Sequence, residues 1–377
     1  MSTYLSWDNK LLVTLLFLNL VTTTLFASNT SEPLKQQNPA ISNDYKYELL
    51  PIPAVFFTPE TNLGYGAMLV LSYYKPEQTP STLRLFVSHT LKNQISSNLH
   101  WDHIVNNRQY RFTNRLNFRI YPLKYFGIGP ENDFDNDGED FTPQVIEGRF
   151  QAEKRLAPNF YGNVHYLFDS YKINAAQENG LIDQGLAPGS QKGTTSGLGL
   201  ELQYDNRDHL YVPSSGWSST IRVRGFDQAI GSDFRYVEYY GQHKHFFSLY
   251  PGGTLATNSI VTSMDGEASF RLIPGFGGYK IMRGYFFKRY RDKNTFSQQV
   301  ELRQHVYWRF GMTVFGGVGN VAPDFSPKLL DDMKYNYGVG FRFVADTKNK
   351  YNLRADFGFK PESGLSPFIY VAVFEAF

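Results

Sequence analysis

The sequence predicts an all-β fold, a closed transmembrane β-barrel of the outer membrane with about sixteen antiparallel strands. Apolar and polar residues alternate with a period of two through most of the chain after residue 50. The alternating segments run about ten to fourteen residues, whereas strands of soluble sheets average about five or six. Their polar faces carry full charges such as Arg111 and Arg115. A dry core would exclude such charges, but a water-filled lumen tolerates them.

The N-terminus predicts a secretory signal peptide over residues 1–27. The apolar run Leu11–Phe26 is interrupted by polar residues and is short for a membrane-spanning helix. Its position favours cleavage near Ala27, while an uncleaved N-terminal anchor remains the alternative. Residues 28–50 are rich in Pro, Gln and Asn and are predicted to be a periplasmic linker. The barrel is then expected over residues 51–377.

Strand assignments follow the alternation element by element. In 108–121, Tyr110 and Phe112 share the apolar face while Arg111 and Thr113 share the polar face. The sixteen predicted strands are 50–57, 62–74, 81–91, 93–106, 108–121, 143–157, 159–173, 194–206, 216–228, 232–247, 252–264, 295–309, 311–321, 334–346, 350–359 and 366–377. With a periplasmic N-terminus, the three longest connections all fall on the outer side, as barrel topology requires.

The longest connection, residues 265–294, has neither a strand period nor a helical period. A structureless connection of about thirty residues is uncommon inside a compact domain and is usually functional or disordered. Its glycines and aromatic residues argue against disorder, because such a segment can pack. The sequence therefore predicts a long sixth outer loop that folds into the lumen.

Five segments in this order resemble the BamA/TamA-type outer-membrane assembly superfamily, also called the bacterial surface antigen family. They are Phe57–Gly66, Phe126–Gly129, Tyr204–Gly216, Arg283–Tyr285 and the terminal Phe377. The resemblance implies three sets of site residues: the loop signature Arg283, Gly284 and Tyr285; the turn residues Asp205, Arg207 and Gly216; and Phe377 in the final strand as an insertion signal.

The chain departs from the family pattern in two places. Family members usually carry periplasmic POTRA domains, and the short segment before residue 51 implies a barrel-only member without them. The family strand motif carries a carboxylate where this chain has Gly317. The sequence therefore predicts fewer wall partners for Arg283 than the family pattern supplies.

Glu301 is the predicted partner of Arg283. It lies on the lumen face of the strand that follows the loop, in the family's E-x-R pattern with Arg303. Bidentate pairing between the guanidinium and the carboxylate would fasten the loop to the wall. Two interpretations follow: a latch that gates the lumen, or a loop held in place simply to plug the pore.

Other candidates carry weaker signals. Asp133, Asp135 and Asp137 match the first half of a calcium-loop pattern, but position twelve is Gln144, so a solvated acidic loop is favoured. His243 and His245 alternate on one strand face without a third ligand, so no metal site is predicted. The chain has no cysteine and no recognisable catalytic motif, so catalysis is not expected.

The lumen arginines admit two interpretations. Residues of this kind favour anions in a pore, or they pair with acidic residues of the wall. The arginines are Arg111, Arg115, Arg119, Arg222 and Arg224, and the candidate acidic partners are Glu201, Glu301 and Asp356.

The predicted function is non-enzymatic insertion or translocation of outer-membrane proteins or lipids. The alternatives are a plugged channel or structural surface protein, and a membrane-embedded enzyme or a barrel that serves a separate protein. Outer-membrane lipid is the expected environment, and periplasmic or membrane partner proteins are left open. A net charge of +2 gives no reason to expect nucleic acid, and no small-molecule cofactor or metal is predicted.

Overall fold

The computed structural model describes residues 45–75, 79–131, 138–346, 351–361, 364 and 366–377. The predicted class and strand count are confirmed, because sixteen antiparallel strands form the closed barrel; the three-residue strand Leu123–Tyr125 in the third outer loop adds to the same sheet by pairing with residues 139–141. They are β1 (Lys46–Thr58), β2 (Asn62–Tyr74), β3 (Ser81–Thr90), β4 (Ile95–Val105), β5 (Tyr110–Ile120), β6 (Glu139–Ala157), β7 (Phe160–Ala176), β8 (Lys192–Asp205), β9 (Gly216–Phe226), β10 (Arg235–Tyr250), β11 (Gly253–Glu267), β12 (Asn294–Tyr307), β13 (Phe310–Ala322), β14 (Lys334–Asp346), β15 (Tyr351–Phe359) and β16 (Phe368–Val373).

Each strand pairs with its neighbours in sequence, and β1 meets β16 to close the barrel. The closing seam is uneven. β1 pairs with β2 along its whole length, from Lys46 opposite Tyr74 to Thr58 opposite Asn62. Among the described residues, the ladder between β1 and β16 consists of Phe57 opposite Val371. The seam is therefore held by far fewer main-chain hydrogen bonds than the other strand boundaries.

Most strand ends differ from the sequence prediction by a few residues, and two of these differences lie at the seam. β1 begins at Lys46, inside the segment predicted as linker, because Lys46–Leu50 pairs with the end of β2. The first strand is therefore not short, although its prolines are consistent with an edge position. β16 ends at Val373 rather than at Phe377, because Phe374 adopts a left-handed conformation with φ 66°. The predicted signal peptide, 1–27, and most of the predicted linker lie outside the described residues.

The strand faces sort by environment as the alternation predicts. On β8, Leu198, Leu200 and Leu202 are exposed on the outer surface, whereas Glu201 between them is buried on the lumen side. No helix among the described residues is long and apolar enough to cross a membrane.

The outer ends of the strands are covered by packed loops. Phe270 of the sixth outer loop is buried against Tyr125 and Ile182, which belong to the third and fourth outer loops. Its ring centroid lies 5.0 Å from that of Tyr125 and 5.3 Å from that of Phe141. This apolar contact closes the barrel on its outer side and orders the start of the sixth loop.

Candidate functional site

The sixth outer loop, residues 268–293, enters the barrel between β11 and β12. A two-residue ladder joins Gly275–Phe276 to Tyr290–Arg291 at its base. Ser269 donates a hydrogen bond from its hydroxyl to the Tyr171 hydroxyl at 2.9 Å. Arg271 pairs with Asp169 of β7 at 2.8 Å. These contacts hold both ends of the loop and direct its tip into the lumen.

The tip of the loop carries Arg283, which is 1 % exposed. Its Nη2 donates to Glu301 of β12, and its Nη1 donates to Asp356 of β15 at 2.5 Å. The guanidinium carbon also lies 3.6 Å from the centroid of the Phe315 ring. Because both carboxylates are fully buried, this pairing offsets the large desolvation cost of each of them.

Three further arginines surround the same carboxylates. Arg303 donates from Nε to Glu301 at 2.8 Å, Arg342 donates from Nη1 to Asp356 at 2.6 Å, and Arg354 also binds Asp356. Arg342 donates in addition from Nε to Glu375 at 2.8 Å. We call these seven residues the buried ion network: Arg283, Glu301, Arg303, Arg342, Arg354, Asp356 and Glu375.

The backbone at the loop tip fits the wall only because two glycines meet there. Gly284 has φ 115°, and a Cβ on it would lie 2.8 Å from the main chain of Phe359. A Cβ on Gly358 of β15 would lie 2.7 Å from the carbonyl carbon of Arg283. The Gly284 amide donates to the Tyr370 hydroxyl at 3.0 Å. The glycine of the loop signature therefore serves close approach of loop and strand.

Tyr285 anchors the loop on its other side. It is 1 % exposed and packs with Phe276, Met282 and Val321. Its hydroxyl donates to the carbonyl of Tyr335 at 2.9 Å. This residue completes a tip that is fixed by charge, backbone fit and apolar packing together.

The prediction that Arg283 has fewer wall partners than the family pattern supplies, because of Gly317, stays a prediction, but Arg283 does not depend on Glu301 alone. Asp356 supplies a second carboxylate from a different strand. At Gly317 itself, an added Cβ would lie 3.1 Å from the Met282 sulfur and 2.6 Å from the Asn336 side-chain oxygen. The space of the missing side chain is thus filled by the loop. Sequence spacing gave no sign of this, since it does not report the relative depth of residues on separated strands.

The loop also reaches the first hairpin of the barrel. The amide of Phe287 donates to the Glu60 carboxylate at 2.8 Å, and burial raises the pKa of that carboxyl. Lys288 donates to the carbonyls of Arg271 and Ile273 at 2.8 and 2.7 Å. Burial, together with repulsion from Arg291 and Arg271, lowers the pKa of Lys288 to about 7.

The turn residues lie at the opposite end of the barrel. Arg207 donates from Nε and Nη2 to Asp205 at 2.8 and 2.7 Å. Gly216 has φ 89°, and a Cβ there would lie 2.6 Å from the Asn206 carbonyl oxygen. The Tyr211 ring stacks on Phe374 at 4.8 Å. This turn therefore contacts the end of β16, far from the Arg283 tip.

Phe377 lies beside the buried ion network rather than in a strand. Its main-chain oxygen accepts a hydrogen bond from Arg303 at 3.1 Å, and Glu375 points to Arg342. Glu375 is the one charged residue of the apolar terminal segment 366–377, which is a sign in the sequence that it has a polar partner. An insertion role for Phe377 stays a prediction.

Most of the predicted lumen arginines have acidic partners. Arg111 pairs with Asp102 and Arg119 with Glu147. Arg222 pairs with the predicted Glu201 at 3.3 Å. Arg222 and Arg224 also both pair with Glu238, which the sequence argument missed. No ion pair of Arg115 occurs among the described residues.

The acidic outer loop lies largely outside the described residues, which omit 132–137. In the part of the chain that the structure describes, no group of three or more His, Cys, Asp or Glu side chains is placed to hold a metal ion.

Comparison with known proteins identifies the family to which this barrel belongs. The family model for the Omp85 superfamily domain matches residues 60–362. The chain belongs to the Omp85 superfamily. The resemblance seen in the sequence is thereby confirmed, and the protein is an outer-membrane β-barrel of a family of transport and assembly proteins rather than enzymes.

Two solved structures share the fold of this Omp85 protein. BamA from Haemophilus ducreyi lacking POTRA domains 1–3 superposes with a TM-score of 0.63 at 11% identity, over 95% of this chain and 78% of that one. CdiB from Acinetobacter baumannii superposes with a TM-score of 0.56 at 12% identity, over 88% of this chain and 65% of that one. A search of curated proteins found no match.

Proposed function

We propose that this Omp85 protein inserts or translocates outer-membrane proteins or lipids through its β1–β16 seam. The observation that carries the proposal is the difference between the two edges of β1. One edge pairs with β2 from Lys46 to Thr58, and the other meets β16 at Phe57 opposite Val371. A boundary with few main-chain hydrogen bonds opens at lower free energy than a full ladder.

The sixth loop supports this proposal by holding the wall on one side of the seam. Its buried ion network joins β12, β14 and β15, and Gly284 donates to Tyr370 of β16. Strands that are tied to the loop tip stay in place while the edge of β1 moves, and this movement breaks the hydrogen bond from the Phe287 amide to Glu60 in the β1–β2 turn. A rigid wall beside a weak ladder is the arrangement that a lateral opening needs.

A disulfide across the seam tests the proposal. Residues opposite each other in an antiparallel ladder have Cα atoms about 4.5–5.5 Å apart, which suits a disulfide. The chain has no cysteine, so the double variant Phe57→Cys/Val371→Cys forms a unique cross-link. We expect the oxidised variant to fail in restoring the outer-membrane protein and lipid profile of depleted cells, and the reduced variant to restore it.

The matched control is Val55→Cys/Tyr65→Cys, which cross-links β1 to β2 where the ladder is already complete. It should restore the profile in both redox states. Full restoration by the oxidised seam variant would contradict the proposal. A depleted strain whose outer-membrane profile is unchanged would exclude an assembly role altogether.

A plugged channel is the second candidate function. It is favoured by the solvent-exposed arginines of the lumen wall, where the Arg149 side chain is 53% exposed. An exposed charge inside a barrel indicates water in the lumen. Ion conductance across a planar bilayer, without any effect of the seam cross-link on the membrane profile, would favour this function over insertion.

A further inference from the structure

We propose that the lumen wall formed by β3–β6 binds a ligand that carries at least two phosphate groups. The site is a row of four side chains that are direct neighbours across adjacent strands. Arg84 of β3 lies opposite His100 of β4, His100 opposite Arg115 of β5, and Arg115 opposite Arg149 of β6. We call Arg84, His100, Arg115 and Arg149 the arginine row.

The arginine row faces the lumen. Asp102 and Arg111, which lie two or four residues from the row on β4 and β5, pair with each other across the inner face. Alternation places His100 and Arg115 on that same face. Arg115 is solvent-exposed, so the row borders the water of the lumen rather than the packed loop.

The nearby carboxylates neutralise one arginine of the row, Arg149, and the other two form no ion pair among the described residues. Asp102 is bound by Arg111 through two hydrogen bonds of 2.7 Å. Glu147 is shared by Arg149 at 2.6 Å and Arg119 at 3.3 Å. Among the described residues, no carboxylate forms an ion pair with Arg84 or Arg115. The wall therefore holds more guanidinium groups than its acidic residues can balance.

The hydrogen bonds of Arg84 show the same shortage of acidic partners. Its Nη2 lies 2.6 Å from Nδ1 of His100, which accepts the hydrogen bond but adds no negative charge. Its Nε is buried with no hydrogen-bond partner in the protein. A buried donor without a partner is costly, and a bound anion would satisfy it.

Like charges directly opposite each other destabilise a sheet, so this row costs stability unless an anion offsets it. Guanidinium groups bind phosphate through paired hydrogen bonds. Neighbouring strands are about 4.8 Å apart, so three strand spacings span roughly 14 Å. A single carboxylate or phosphate cannot reach all three arginines, whereas a ligand with two or more phosphates can. The source is either a free polyphosphate anion or a phosphorylated lipid headgroup.

This site is independent of the seam, so its failure and the failure of the proposed function are separable. The test uses the full chain, purified in detergent, with sodium tripolyphosphate titrated at constant ionic strength in a calorimeter. Vesicles of phosphatidylcholine with and without cardiolipin, whose headgroup carries two phosphates, provide the lipid arm. The variants are Arg115→Gln and Arg119→Gln, which remove the same charge from the same face of β5.

We expect Arg115→Gln to weaken tripolyphosphate binding about tenfold, the usual effect of losing one charge-assisted contact. Arg119 is already paired with Glu147, so Arg119→Gln should weaken binding by less than about threefold, through its screened charge alone. Among the described residues Arg115 forms no ion pair, so its replacement leaves no carboxylate unpaired. Unchanged heat-modifiable migration of Arg115→Gln in gel electrophoresis will show that the variant folds.

A response confined to cardiolipin, lost in Arg115→Gln and kept in Arg119→Gln, supports the site with a lipid headgroup as its ligand. Equal weakening by both variants would overturn the proposal in favour of the general positive potential of the lumen. Absence of binding to both probes would overturn it as well.

Discussion

The two sides of the lumen use arginine in opposite ways. The wall from β12 to β16 encloses Arg283, whose guanidinium is buried between Glu301 and Asp356. The wall from β3 to β6 displays Arg115, which is exposed and has no ion pair among the described residues. Both arginines would be described from sequence as lumen charges. The number of neighbouring carboxylates decides whether an arginine has a structural role or is available to bind a ligand.

We also expect the two sides to differ in the mobility of their arginine side chains and in the free-energy cost of replacing them. A buried charge pair whose hydrogen bonds are satisfied fixes the positions of its side chains. Breaking the pair leaves the remaining charge buried without a partner. A solvated arginine row has no such constraint and is free to exchange ligands. The loop side is therefore expected to tolerate change poorly, and the row side to tolerate it well.

The largest expected effect comes from Arg283→Ala. It leaves Glu301 and Asp356 with fewer partners in a buried site, which should lower the free energy of unfolding by about 3–5 kcal/mol. Urea unfolding followed by tryptophan fluorescence measures this change, and bilayer conductance should rise as the loop tip leaves the wall. The control is Arg235→Ala, whose side chain is 84% exposed and whose loss should cost less than about 0.5 kcal/mol. Equal effects of the two variants would show that burial does not distinguish them.

A smaller contrast is expected between two aspartates. Asp356 binds Arg283, Arg342 and Arg354 in a buried site, so Asp356→Asn should cost about 3 kcal/mol. Asp102 forms an ion pair with the partly exposed Arg111 and accepts a hydrogen bond from the Thr113 hydroxyl at 3.4 Å, so Asp102→Asn should cost about 1 kcal/mol. The same urea titration compares them. A larger loss for Asp102→Asn would reverse our ranking of the two walls.

The smallest expected effect has the opposite sign. Arg115→Gln removes a cation that faces His100 and Arg149 across the ladder, so it should raise the free energy of unfolding by about 0.2–1 kcal/mol in phosphate-free buffer. Added tripolyphosphate should stabilise the wild-type protein more than this variant. A destabilised Arg115→Gln barrel would mean that Arg115 has a structural role after all.

Much of the architecture was predictable because the outer-membrane environment imposes a period of two on every strand. Strand β8 is such a case. Its successive side chains point to opposite faces, so that Leu198, Leu200 and Leu202 lie on the lipid face and Glu201 lies on the lumen face. Strand ends were less predictable. β1 extends back to Lys46 because its partner β2 continues to Tyr74, which the polar composition of residues 46–50 does not reveal.

The Arg283 site was predictable only in part. Glu301 follows from its place on the adjacent strand, because neighbouring strands bring near-sequence residues together. Asp356 lies seventy-three positions from Arg283, and Glu375 joins through a left-handed residue, Phe374, that turns the chain end inward. The depth at which such residues meet depends on the stagger of sixteen strands.

The sequence by itself determined the strand count, the two faces of each strand, the family and the loop that carries Arg283. These follow from local alternation and short motifs, which act over a few residues. Only the tertiary structure decided that Asp356 binds Arg283 from a separate strand, that the described β1–β16 ladder consists of one residue pair, and that Arg115 lies between His100 and Arg149. Each of these depends on register around a closed sheet, a long-range property that no local pattern specifies.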